Sequence, residues 1–357
     1  MRSTTGFAAV LGITLLVAAA TSAPDRIADE LARWSALVAS DTRTDQLWLD
    51  AKKSSGPVLS QAEEELRQGR RLVALERLAA AGQSLGAALY VTGRPPEEHK
   101  NLAAFEAEWK RMGGVLGDVL SPDGPARTIP AGVHPALARA LAELSVSQAR
   151  EMYDASLEYG RNTEPQYGLY YLGAAQAQRT FLDLARGLPE PPAARAPQLR
   201  PLPTEIQGVQ ADLLAAYRPP AAIDRHGDFI VASAALKEAR ELDASGQRYA
   251  ALLRYLQAAQ RVGMLRERPS IDLPSVQRAL KDAETRFGGA TDHSIGRFFV
   301  ERAQSALATP GGTGETVAAV VAADVLPRYF AALEPARPAA TAAPATVTVT
   351  LVRWPFT

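Results

Sequence analysis

The pentapeptide Asp224-Arg225-His226-Gly227-Asp228 is the densest group of potential metal ligands in this sequence, setting one imidazole between two carboxylates. Asp224, His226 and Asp228 would be a fragment of a metal site, which needs further ligands from elsewhere in the chain. A solvated polar loop accounts for the same residues, so no metal is assigned. His99, His134 and His293 are the other imidazoles, and no HExxH, ExxH or paired HxxH spacing joins any of them. Cysteine is absent, which excludes disulfides, thiolate metal sites and a cysteine nucleophile.

Hydrolytic chemistry has no local signature. There is no G-x-S-x-G elbow. The run Glu63-Glu64-Glu65 reads as a charged helix face with Glu63 and Arg67 spaced i,i+4. Gly311-Gly312-Thr313-Gly314 lacks the Lys-Ser/Thr that a phosphate loop needs and reads as a connector. No catalytic residue and no cofactor is assigned.

Binding chemistry is better represented. Tyr153, Tyr159, Tyr167, Tyr170 and Tyr171 crowd the middle of the chain, and tyrosine combines broad apolar contact with a polar tip. Core packing takes most of them, and Tyr167 and Tyr170 are the residues expected to line a binding groove. At the C-terminus Val347, Val349 and Leu351 alternate with threonines, and Trp354 and Phe356 follow. That period-two pattern predicts a strand that either packs back on this chain's own helices or pairs with another of its segments, or adds to a partner's sheet with the two aromatics as anchors.

The chain that must position these residues has 357 of them, enough to bury a sizeable core. Lys+Arg and Asp+Glu are both 39, so net charge gives no case for nucleic acid or an anionic membrane as partner. Arg2, the apolar run Phe7–Ala20 and the small residues Ala18, Ala20, Ser22 and Ala23 have the layout of a signal peptide over 1–23. The run is shorter than the roughly 20 residues of a membrane-spanning helix, so no integral membrane segment is expected after its removal. Export to a bacterial periplasm or beyond is the expectation.

Helical periodicity dominates the rest. Residues 24–188 predict N-terminal helical hairpins, 189–203 a Pro-rich linker or crossing loop, 204–334 C-terminal hairpins, and 335–357 a Pro/Ala linker with the strand-forming tail. Ser55-Gly56-Pro57 is expected to break a helix starting near Gln46. Thr204 is a candidate helix cap, and Pro327 is expected to kink or shorten the last helix.

Three segments share one pattern. Gly246 aligns with Gly69 and Asn162, Tyr255 with Leu78 and Tyr171, Ala258 with Ala81 and Ala174, and Gln260 with Gln83 and Gln176. The set Ala239, Gly246, Ala251, Tyr255 and Ala258 resembles the tetratricopeptide helical hairpin, as does Ala62, Gly69, Ala74, Leu78 and Ala81. The third copy departs at Tyr167, and Tyr171 and Tyr255 stand further apart than the tetratricopeptide period of about 34 residues. The resemblance implies stacked helical hairpins whose inner face binds a peptide or protein. The fold class expected is all-α, TPR-like or an irregular α-solenoid with a short β-strand tail. The function expected is protein binding or scaffolding in the envelope. The alternatives are an all-α, hydrolase-like enzyme or a small-ligand carrier with its site in the concave face.

Overall fold

The computed structural model describes residues 25–121, 135–186, 188, 195–218, 223–266, 271–309 and 313–333, and every regular element among them is helical. The fold is all-α. The N-terminal signal and the C-terminal strand expected from sequence lie outside the described residues.

Helix α1 (Arg26–Ser40) starts where Asp25 accepts the N–H groups of Ile27 and Ala28, and it buries Ile27, Leu31 and Trp34 along one stripe. Three antiparallel hairpins follow: α2 (Gln46–Arg67) with α3 (Arg71–Thr92), α6 (Ala136–Asn162) with α7 (Pro165–Arg186), and α9 (His226–Ala244) with α10 (Arg248–Leu265). Between them lie α4 (Leu102–Val115), the single turn α5 (Gly117–Leu120) and α8 (Pro203–Ala216). The chain then runs through α11 (Leu273–Arg286), α12 (Ser294–Ala308) and α13 (Thr313–Leu333).

The first and third hairpins close identically. Gly69 and Gly246 sit at φ 78° and 79°. The glycine N–H bonds Leu66 O or Asp243 O, and the next N–H reaches back to Glu65 O or Leu242 O. This is a Schellman closure, which needs the left-handed backbone that glycine adopts most cheaply. Their aligned residues Ala62, Ala74, Leu78 and Ala81, and Ala239, Ala251, Tyr255 and Ala258, are all buried. The middle hairpin turns differently. Asn162 is its last helical residue, and Thr163 holds φ −123° while its hydroxyl bonds Tyr159 O.

One proline expectation needs correction. Ser55-Gly56-Pro57 does not break α2, which runs through it. Pro57 removes the donor to the carbonyl of Lys53, and both residues are exposed, so water can serve that carbonyl while Ala51, Ser55, Leu59 and Ala62 hold the opposite face. Around Pro327, expected to kink or shorten the last helix, α13 is locally distorted but continues to Leu333. A π-turn at Val321–Val325 precedes the proline, and the Leu326 N–H bonds Val321 O. The wider turn makes room for the proline ring. α13 is long and apolar enough to cross a membrane by length and composition, yet here it packs on α10, α11 and α12, and its Asp324 faces Arg266 at 3.6 Å.

Packing orders the helices α2, α3, α7, α6, α10, α9 across the molecule: the middle hairpin meets the first through α7 and the third through α6. One hydrophobic cluster runs from Ile27 to Ala332, so the segments on either side of the Pro-rich crossing share a core. Within that crossing, the Arg195 N–H bonds Ala290 O and the Asp292 N–H bonds Arg195 O.

Carboxylates from remote elements cap helices that have no cap of their own. Helices α3, α6, α8 and α10 begin after Arg70, Pro135, Leu202 and Gln247, none of which makes a side-chain cap. Glu301 of α12 accepts Leu72 N–H at 3.0 Å and Val73 N–H at 3.2 Å at the start of α3. Asp292 accepts Ala136 N–H at 2.5 Å, Ser294 Oγ accepts Leu137 N–H at 2.9 Å, and both serve α6. Glu143 accepts Ala250 N–H at 2.9 Å for α10, and Asp243 accepts Leu202 N–H at 3.1 Å for α8. Each bond satisfies an orphan donor, and those to ionised carboxylates also place negative charge at the positive end of a helix. Thr204 is therefore not the cap of α8, because the helix already includes Pro203.

Candidate functional site

A concavity lies where α1 meets the seam between α3 and α7. Its floor is made by small residues. A Cβ built on Gly86 would stand 2.8 Å from Ala177 Cβ, and one on Gly173 would stand 2.5 Å from Tyr90 Cβ. These contacts are too close for any side chain larger than hydrogen, so the two helices approach at nearly backbone distance. Gly82 is different: its nearest neighbour is Trp34 Nε1 at 3.6 Å, so the indole forms a wall above it.

The groove encloses about 340 Å³, and Leu78, Leu89 and Phe181 add to its apolar surface. Polar groups are few. Gln83 of α3 and Gln176 of α7 line it, with Thr180 at the exposed rim and the Glu30–Arg33 pair at the edge. Among the described residues the side-chain amides of Gln83 and Gln176 have no hydrogen-bond partner. An apolar trough with two free amides can bury aliphatic groups and pair with a backbone donor and acceptor.

Tyr90 joins the groove to a charged knot. Its hydroxyl donates to the buried carboxylate of Glu108, which also receives Arg94 and Arg111, and Arg94 lies 4.6 Å over the Tyr90 ring. Burial, then the neighbouring Glu108 carboxylate, pushes the Tyr90 phenol up to about 12. Tyr90 therefore stays a neutral hydrogen-bond donor at the groove's end.

The residues singled out from sequence fall elsewhere. Tyr167 is 51% exposed, and Tyr170 is half-buried against the cluster around Phe105; neither lines the groove. Val347, Val349, Leu351, Trp354 and Phe356 lie outside the described residues. His226 meets the Tyr217 hydroxyl at 2.9 Å through Nδ1, and Tyr217 stacks on Phe229. Asp228 lies 3.9 Å from both Arg225 and Arg261, and Asp224 is exposed. Among the described residues no three His, Cys, Asp or Glu side chains converge as a metal site.

The Glu63–Glu65 run is not a uniform outer face. Glu63 accepts from Ser35, not from Arg67, which pairs with Glu64. Glu65 is buried, held by Arg70, Arg77 and the Ser305 hydroxyl. Close by, burial pushes the Glu301 carboxyl up to about 7, with Glu65 adding to the rise and the Val73, Leu72 and Arg70 contacts opposing it. Both acids are committed to joining α12 to the first hairpin.

Sequence reasoning paired Gln83 with Gln176 by repeat register but did not place them in one groove. Gly82 and Gly86, four apart on α3, and Gly173 and Ala177, four apart on α7, were the available signal for a close helix seam. Trp34 could not be assigned to that seam, because it comes from a helix outside the repeats. No protein-family model, no curated protein and no solved structure matches this chain.

Proposed function

We propose that this chain is an exported helical-hairpin protein that binds or scaffolds other envelope proteins, and that the α1–α3–α7 groove receives an apolar segment of its partner. The observation that carries this reading is the groove's composition: a glycine and alanine floor, a tryptophan wall, and two amides with no partner among the described residues. Each aliphatic side chain buried there would contribute about 1.5–3 kcal/mol, and the amides would fix the segment's register.

The size of the site favours a segment over an enclosed small ligand. About 340 Å³ is at the low end of small-molecule pockets, and the exposed rim at Gln176 and Thr180 leaves room for a chain to enter and leave. The site lies between the first two hairpins, the kind of surface that tetratricopeptide-like stacks offer. Export rests on the composition of residues 1–23. The alternating tail would add a second contact by extending a partner's sheet.

Selection of peptides from a random displayed library on the immobilised protein tests the groove. The expected peptides carry spaced aliphatic residues and lose binding to the Gln83→Ala/Gln176→Ala double variant and to Gly82→Leu, both with unchanged melting. Peptides that bind all three proteins equally contradict the reading.

A further inference from the structure

A second surface lies at the turn end of the middle hairpin, outside the groove. Tyr159 of α6 and Tyr171 of α7 stack with ring centroids 4.7 Å apart and planes 14° from parallel, and Tyr170 meets Tyr171 edge-on at 6.2 Å. Tyr159 is 43% exposed although stacked, and Tyr167, one turn before Tyr171, is more exposed still. Burial, the hydrogen bond with Tyr159, and the nearby Tyr170 and Glu151 all raise the Tyr171 phenol, so the ring and its acidic neighbour share one environment.

The flanking face of α6 is negative. Glu151, Asp154 and Glu158 are spaced i, i+3 and i+7, all are exposed, and none has an ion-pair partner among the described residues. Glu238 of α9 also feels Glu151, although Arg254 holds it at 2.8 Å. In a chain whose acidic and basic residues balance at 39 each, this is a local excess beside an exposed aromatic stack. Ring faces carry negative potential and attract ammonium and guanidinium groups, and adjacent carboxylates add to that attraction.

We infer that Tyr159, Tyr167, Tyr170 and Tyr171, with the Glu151–Asp154–Glu158 stripe, form a docking surface for a lysine- or arginine-rich segment of another protein. The segment's cations lie over the tyrosine faces while neighbouring ones pair with the stripe. This surface is independent of the groove, so either can fail without the other.

Calorimetric titration of the full chain at low salt with octalysine, and with octaglutamate as the opposite-charge probe, tests it. Octalysine is expected to bind and octaglutamate not. Tyr159→Ala should weaken octalysine binding about two- to fivefold, the worth of one exposed cation–π contact, while Tyr159→Phe should keep it. Glu151→Gln/Asp154→Asn/Glu158→Gln should weaken it further, and melting curves confirm that each variant is folded. Absence of octalysine binding overturns the proposal. So does binding that Tyr159→Ala leaves unchanged, which would be charge attraction alone, or equal binding of octaglutamate.

Discussion

Glu301 and Leu72, 229 residues apart in the chain, are joined by a 3.0 Å hydrogen bond in which the Leu72 N–H donates to the Glu301 carboxylate. Val73 donates to the same oxygen, so the start of α3 in the first hairpin is completed by a side chain from α12. The bond closes the stack on itself and sets the position of α3, whose later turns form the groove.

Its pH dependence has a definite sign. Glu301 is raised from 4.5 to about 7 in the fold, chiefly by burial. The native state therefore holds this proton through a range where the unfolded chain has released it, and the contribution of Glu301 to stability falls as pH rises from about 4.5 to about 7. Thermal melts of the parent and Glu301→Gln at pH 5 and pH 8 check this. The parent should lose stability relative to the variant on going to pH 8. A constant difference between them contradicts the assignment.

Gly69 and Gly246 should respond alike. Each holds a left-handed φ with nothing near the position of a Cβ, so alanine introduces backbone strain without a clash. Gly69→Ala and Gly246→Ala are each expected to cost about 1–2 kcal/mol in urea unfolding, and asparagine at either site should cost less.

Gly86→Val tests the close seam directly. Its Cβ would stand 2.8 Å from that of Ala177, so α3 and α7 must separate. A loss of about 1–3 kcal/mol is expected from overpacking. Gly82→Ala, whose nearest contact is an ordinary 3.6 Å, should melt close to the parent.

Asp292 accepts Ser294 N–H at 2.8 Å and Ala136 N–H at 2.5 Å, capping the starts of α12 and α6 together. Asp292→Ala should destabilise the fold by about 1–3 kcal/mol, and Asp292→Asn, which keeps one acceptor, by less. Equilibrium unfolding of both variants measures the difference.

The sequence made the first and third hairpins legible because their turns depend on local chemistry. Gly69 and Gly246 sit at matching distances from Ala62, Ala74 and Leu78, and from Ala239, Ala251 and Tyr255, and the backbone requires glycine there. The effect of Pro57 is not legible because it depends on which carbonyl loses its donor, and here that carbonyl belongs to the exposed Lys53. Glu65 is not legible as a buried acid because its partners Arg70, Arg77 and Ser305 come from the hairpin turn, α3 and the distant α12, and only the fold brings them together. The groove was illegible for a related reason: Trp34, Gly82 and Gln176 belong to three different helices, and no local pattern records their meeting. Tyr167 and Tyr170 lie on α7 outside the α1–α3–α7 groove, since a residue's type does not say which face of a helix it occupies.

The most direct test of the groove as a binding site replaces Thr180, at its exposed rim, with a photo-crosslinking residue in the mature protein and irradiates it in an envelope extract. The account predicts a discrete protein adduct. It should be lost in Gly82→Leu and reduced in Gln83→Ala/Gln176→Ala, which removes two hydrogen bonds worth about 1 kcal/mol each. An adduct whose yield both variants leave unchanged, or one formed from position 167 and never from position 180, would contradict the groove as the partner's site.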